Sequence, residues 1–374
     1  MIGGLIKSSS RIALVAAAGV AFGGVAAKAA DLGGDCCADL EERVAELEAT
    51  TARKGNRKQS LTVYGQIARA MVWYDDEGAR IRNNFTVGGD DDASSRFGFR
   101  GSAKINADLS AGYRMEIQVD DDTNVVQNRH TMLYITSQQF GTIKLGRTDT
   151  ASAGIAEIAL AGGISFNSDG CAEFPGTCNA PALDPGNRDV GIHYVSPVFA
   201  GFAVSASFFH NGGEGAANQD GYDVALRYAG EFGAIRVAAG VGYYQIQDDT
   251  NNGLDEDTTV SGSASIMHVP SGVFLNAAYG VTEDGSANTD TTGWAVSTGI
   301  QTKLNSLGDT TFEVGYATSE TDGADANPYN FSASISQDID AAAMNVYIEY
   351  LYNNNDATPD QSSEGIIVGA SVQF

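Results

Sequence analysis

From Leu61 to Phe374 the chain alternates apolar and polar residues with a period of two, broken at intervals by clusters of Gly, Asn and Asp. The stretch Ser95–Lys104, SRFGFRGSAK, is typical. Alternate side chains of a strand point to opposite faces, so Arg96, Gly98, Arg100, Ser102 and Lys104 share one face and Phe97, Phe99, Gly101 and Ala103 the other. The same division holds at 108–119, where Leu109, Ala111, Tyr113, Met115, Ile117 and Val119 oppose Ser110, Gly112, Arg114, Glu116 and Gln118. It recurs at 221–229 and at 234–243. Sixteen strand-like segments are expected, near 61–75, 93–105, 108–120, 129–137, 142–148, 188–196, 201–210, 221–229, 234–247, 257–268, 273–283, 291–303, 309–319, 328–338, 342–353 and 363–374. Short connections such as Asn106-Ala107 and Pro270-Ser271-Gly272 alternate with longer acidic ones such as Asp75 to Asp92 and Asp248 to Asp257. An even strand count with two unlike rims is the pattern of an up-and-down antiparallel barrel.

A soluble sandwich could bury the apolar faces against each other. Two features favour a membrane instead. The strands run to about ten residues, the length that crosses a bilayer at a tilt. Aromatic residues gather near strand ends, as in Trp73-Tyr74, Phe208-Phe209, Tyr243-Tyr244 and Tyr350 with Tyr352, where lipid meets water. A closed barrel satisfies every backbone polar group in lipid, with the apolar face outward and the charged face lining a wet lumen. The fold class is therefore all-β, a 16-stranded antiparallel transmembrane barrel.

The first sixty residues follow other rules. Lys7 and Arg11 precede an apolar run from Ile12 to Ala27, and Ala27-Lys28-Ala29 is a small-x-small cleavage site. Residues 1–29 are expected to be an export signal, cut after Ala29. Residues 30–58 then form a periplasmic stalk and hinge. Leu40, Val44, Leu47 and Thr51 make a heptad seam, and a helix this short gains stability when several copies associate. Residues 59–374 form the barrel. The net charge is −25, and the export signal contributes only basic residues, so nucleic acid is excluded as a partner.

The stretches SRFGFRGSAK (95–104), FGTIKLGRTDT (140–150) and YVSPVFAGF (194–202), with a final strand ending on Phe374, resemble those of the general porins of Gram-negative bacteria. The leader DLEERVAELEATTARKGNRK before SLTVYGQ is similar to that of the alphaproteobacterial branch. The resemblance implies an outer-membrane homotrimer, in contact with lipid and lipopolysaccharide, that passes small hydrophilic solutes and ions by diffusion. It also implies that the third long loop folds into the lumen as a constriction.

That loop is the interruption at 150–187, after the fifth strand; it carries Glu157, Asp169, Glu173, Asp184, Cys171 and Cys178. In an oxidising compartment a Cys171–Cys178 bridge is favoured over two free thiols, and it would stiffen the loop. Zinc is not expected, because no nearby His completes a ligand set. By resemblance, basic wall residues face the loop acids: Arg96, Arg100 and Arg129 first, Arg114 and Lys144 next, and Arg188 with ambiguous parity. Opposed charges across a narrow channel set up a transverse field. The acidic outer loops tilt the expected ion preference towards cations, while the wall arginines favour anions locally. No enzyme and no cofactor is expected, since His130, His193, His210 and His268 lie on separate strands without a triad or metal spacing. Two alternatives stand beside the diffusion channel: a tether that links the N-terminus to peptidoglycan, and a substrate-specific channel.

Overall fold

A computed structural model describes residues 59–76, 81–89, 94–120, 125–162, 183, 188–210, 219–248, 255–285, 287, 289–356 and 362–374. The expected signal, stalk, bridge and loop tip lie outside these residues. The strands are β1 (Thr62–Asp76), β2 (Ile81–Gly89), β3 (Arg96–Lys104), β4 (Leu109–Asp120), β5 (Val125–Ser137), β6 (Gly141–Asp149), β7 (Arg188–Val195), β8 (Phe202–His210) and β9 (Gln219–Phe232). They continue with β10 (Ile235–Asp248), β11 (Asp255–His268), β12 (Val273–Asp284), β13 (Thr289–Thr302), β14 (Thr310–Thr321), β15 (Tyr329–Ile339), β16 (Met344–Asn354) and β17 (Ser362–Gln373).

All strand pairs are antiparallel, and β17 pairs with β1 to close the sheet. Both β2 and β3 pair with β1, β3 along its first half and β2 along its second. They occupy one wall position, so the 17 strands build a 16-position barrel. The sixteen expected segments are these positions. The strand β2 differs from expectation, because 75–92 reads as one acidic loop. Its hairpin extends the wall, with Met71 opposite Val87 and Trp73 opposite Phe85 in register.

The closure uses the last residue. The Phe374 nitrogen donates to the Gly65 carbonyl at 3.0 Å, and the Gly65 nitrogen to the Phe374 carbonyl at 2.9 Å. The Phe374 ring lies where a Cβ on Gly65 would stand, 2.5 Å from Cζ, so only glycine permits this approach.

The two faces of the wall differ as the alternation requires. Outward positions carry exposed large apolar residues, among them Ile67, Phe97, Met115, Leu133, Leu145, Ile192, Val224 and Leu275. A run of outward rings crosses the long-loop side of the barrel, from Trp294 through Tyr316 and Tyr329 to Tyr352, with centroids 5.3 to 6.1 Å apart. Inward positions are small or polar and buried: Ala68, Ala70, Ser205, Ser207, Ser263, Asn276 and Ser297. In water this would be an inside-out sheet; in lipid it is the stable arrangement.

Candidate functional site: the lumen and its loop

Beyond Asp149 the chain turns into the lumen and lies on the inner face of β8 to β12. The Ala151 nitrogen donates to Ser207 Oγ at 2.7 Å and to Asp223 Oδ1 at 3.1 Å. The Ser152 nitrogen and hydroxyl both donate to Asp223 Oδ2, at 2.6 and 2.7 Å. Arg227 takes the other end of the same turn: Nη1 donates to the Ala151 carbonyl at 2.6 Å and Nη2 to the Ala153 carbonyl at 2.8 Å. Asp223 and Arg227 stand four residues apart on one face of β9. A carboxylate can only accept and a guanidinium can only donate, so together they satisfy both kinds of backbone group.

Further along, a 3-10 turn at Ile155–Glu157 leads to a second set of anchors. The Ile158 and Leu160 nitrogens each donate to a serine on β11, Ser263 and Ser265, at 3.0 Å. Ser263 in turn donates to the Ile155 carbonyl at 2.6 Å. Ser265 donates to Asn276 Oδ1, Asn276 Nδ2 to Ser297 Oγ, and Ser297 to Glu313 Oε1, a buried relay across β11 to β14. Ile155 and Ile158 are fully buried against Ala225 and Ala238. They pack over Gly240: a Cβ there would stand 2.6 Å from Ile155 Cδ1 and 2.7 Å from Ile158 Cδ1, so the two side-chain tips would have to shift to admit it. Burying each isoleucine contributes about 1.5–3 kcal/mol.

The inner face of β3 to β7 is basic and organised around one acid. Glu116 is 1% exposed. Its Oε2 accepts from Arg114 Nη2 at 2.6 Å and from the Tyr64 hydroxyl at 2.9 Å. Its Oε1 accepts from Arg129 Nε at 3.0 Å and lies 3.7 Å from His130 Nε2. Arg129 reaches the lumen through a register shift between β4 and β5: Glu116 faces His130 and Ile117 faces Asn128, so Arg129 is the extra residue of a bulge. Arg129 also donates to Ser94 Oγ and Gln118 Oε1. Arg96 donates to Gln66 Oε1 at 3.0 Å. Arg100 lies 5.1 Å above the Tyr64 ring, on the same ring as Arg114 at 5.7 Å. Arg188 pairs with Asp149 at 3.8 Å.

Arg96, Arg100, Arg114 and Arg129 therefore share one stretch of wall. Lys144 lies on the same inner face, buried on β6 and opposite His193 in register. Glu157 is on the loop segment, half-exposed beside the buried Ile155, Ala156 and Ile158. Asp169, Glu173, Asp184, Cys171 and Cys178 lie outside the described residues. Sequence reasoning missed Glu116, Asp223 and Arg227 as organising groups. Their parity already placed all three on the lumen face, and that was the available signal.

Residues 12–358 match the sequence model of the Gram-negative porins. No curated protein matches. Among solved structures, the anion-selective porin from Comamonas acidovorans is 16% identical, covering 84% of this chain and 100% of that chain with a TM-score of 0.62. Salmonella typhi OmpF in complex with daunomycin is 15% identical, covering 85% of this chain and 98% of that one, with a TM-score of 0.61. A trimer form of in-vitro folded OmpT, an outer membrane protein of Vibrio cholerae, is 18% identical over 84% of this chain and 99% of its own, with a TM-score of 0.58. At these identities the likeness is one of fold, and it agrees with the family match and with a wall that is apolar outside and polar within. The chain belongs to the Gram-negative porin family, as a passive channel of the outer membrane.

Proposed function

We propose that this porin is a general-diffusion channel whose eyelet lies between the loop at 150–187 and the basic wall of β3 to β7. The observation that carries the reading is the docking of Ala151 to Ala161 on the wall opposite Arg96, Arg100, Arg114 and Arg129. A loop pinned on one side leaves the passage on the other, and that side is lined with cations. Lys144 belongs to the same wall. The acids of the loop, Glu157, Asp169, Glu173 and Asp184, are its counter-charges in this reading. Polar solutes align in the resulting field, while an apolar solute must displace oriented water. Glu116 neutralises part of the wall, so Arg100, which among the described residues meets the Tyr64 ring and no carboxylate, sets the local preference for anions over the cation bias of the outer loops. A Cys171–Cys178 bridge would fix the loop acids in place.

The channel is a homotrimer in this reading. The outward face of β5 to β7 carries six aliphatic residues that are each more than half exposed: Leu133, Ile135, Ile143, Leu145, Val190 and Ile192. The paired rings Tyr222–Tyr243, Trp294–Tyr316 and Tyr329–Tyr352 lie on β9 to β16, while the rings on this arc, Phe140 and Tyr194, keep to its short-turn end. An aliphatic patch of this kind packs against a second copy better than it marks a lipid–water boundary. The alphaproteobacterial leader, with a signal to Ala29 and a stalk to Lys58, would place three short helices side by side in the periplasm.

Liposome swelling with neutral sugars of rising size tests the diffusion reading. The rate should fall smoothly with solute size and show no saturation. A larger sugar that outruns a smaller one would replace general diffusion with a substrate-specific channel.

A further inference from the structure

The inner wall holds a second concave feature, on the short-turn side of the loop anchor. A cavity of about 270 Å³ is set among β5 to β9. Its strand residues include Thr136, Thr142, Val195, Ala203, Ser205 and Arg227. All six have lumen-facing parity, since their neighbours Ile135, Ile143, Tyr194, Val204 and Leu226 are exposed outside. The turns at 138–141 and 196–198 close its floor.

Beside an apolar part formed by Val195, Pro197, Val198 and Ala203, the lining offers hydroxyls and one cation. Thr136 Oγ1 and Thr142 Oγ1 lie 3.0 Å apart. Ser205 Oγ accepts from Arg227 Nη1 at 3.2 Å and donates to the Ala151 carbonyl at 3.3 Å. Arg227 is 5% exposed and is the one charged residue of the lining. Lys144, one pleat from Thr142 on the same face of β6, adds positive charge that offsets Asp223, the carboxylate four residues from Arg227 on β9. Serine and threonine hydroxyls suit any polar solute; a buried guanidinium selects an anion. The size suits a solute of a few carbons, just under the usual range for ligand pockets of about 300 Å³ and above.

The same guanidinium holds the root of the loop through two neutral carbonyls. An oxyanion brings a full opposite charge to the guanidinium, which a neutral carbonyl does not. We propose that this cavity binds a small hydroxylated oxyanion, of the sugar-acid class, and that the bound anion competes for Arg227 and loosens the loop root. The binding stands on the cavity alone. The effect on flow rests also on the reading of the loop as the constriction.

Saturation-transfer NMR on the full-length protein in detergent tests the binding, with D-gluconate as probe and D-glucose as its neutral control. Gluconate should give a transfer signal, glucose little, and Ala203→Phe, which fills the cavity, should reduce the gluconate signal at least fivefold. The pair Thr136→Val with Thr142→Val is the second variant, should Ala203→Phe fail to fold. No gluconate signal, an equal signal from glucose, or an unchanged signal in the folded variants would overturn the site. In planar bilayers, gluconate added on the short-turn side should at least double the current noise of the parent channel and leave Ala203→Phe unaffected. Binding without that noise would overturn the coupling to the loop, and a protein that forms no channel would overturn the diffusion reading separately.

Discussion

Replacing Asp223 should free the root of the loop. Asp223 is fully buried and accepts three hydrogen bonds from Ala151 and Ser152. In Asp223→Ala the Ala151 nitrogen keeps Ser207, but the Ser152 nitrogen and hydroxyl lose their acceptor. Each buried donor left without a partner costs about 1–3 kcal/mol, so the docked loop loses about 2–6 kcal/mol. At about 1.4 kcal/mol per factor of ten, the docked-to-undocked ratio falls by between about 30-fold and 10⁴-fold. Removing the carboxylate also leaves Arg227 without its neighbouring opposite charge on the β9 face. The barrel should survive, because the ladder from β8 through β9 to β10 does not depend on this side chain. The assay is single-channel recording of protein shown to be folded by heat-modifiable mobility on a gel. Asp223→Ala should flicker between conductance levels where the parent is steady. Steady, parent-like current from a folded Asp223→Ala barrel would refute the claim that this carboxylate holds the loop.

Gly240→Phe should push Ile155 and Ile158 off the wall and lower the conductance, whereas Gly240→Ala should stay near the parent, since only the flexible isoleucine tips lie against its added Cβ. Glu116→Gln breaks the shared carboxylate of Arg114 and Arg129, and should destabilise the barrel by about 3–5 kcal/mol, read as a lower temperature for loss of the folded gel band. Arg100→Glu should shift the reversal potential in a salt gradient towards cations without lowering that temperature, because Arg100 is exposed and stands opposite Arg114 in register, where like charges repel. Intact-mass measurement of the mature protein with and without thiol alkylation should find residues 1–29 removed and Cys171 and Cys178 unmodified until reduction.

The wall was legible because its rule is local. A period of two, with Gly and Asp clusters as punctuation, assigns both strand and face, and sixteen such segments matched the sixteen wall positions. The strand β2 was hidden because Ile81–Gly89 holds Asn83-Asn84 and is flanked by acids that read as loop. The basic side of the lumen was partly legible. Parity put Arg96, Arg100 and Arg114 on one face, but Arg129 points inward only through a bulge that depends on the register of two strands. The loop anchors were not legible. Ala151 meets Asp223 72 residues away, and Ile158 meets Ser263 across 105. Nothing in the local pattern distinguishes Ser263 from any other lumen-facing serine, or marks Gly240 as the floor under two isoleucines. Such contacts are fixed by where the closed barrel brings β9 to β14, and closure is a property of the whole chain.

Single-channel conductance of the purified, folded protein in a planar bilayer tests the central claim most directly. Large ohmic steps that close in threes at high voltage are expected, with a reversal potential in a salt gradient displaced towards anions by the wall arginines. A protein that is demonstrably folded yet gives no steps would contradict an open, loop-narrowed pore.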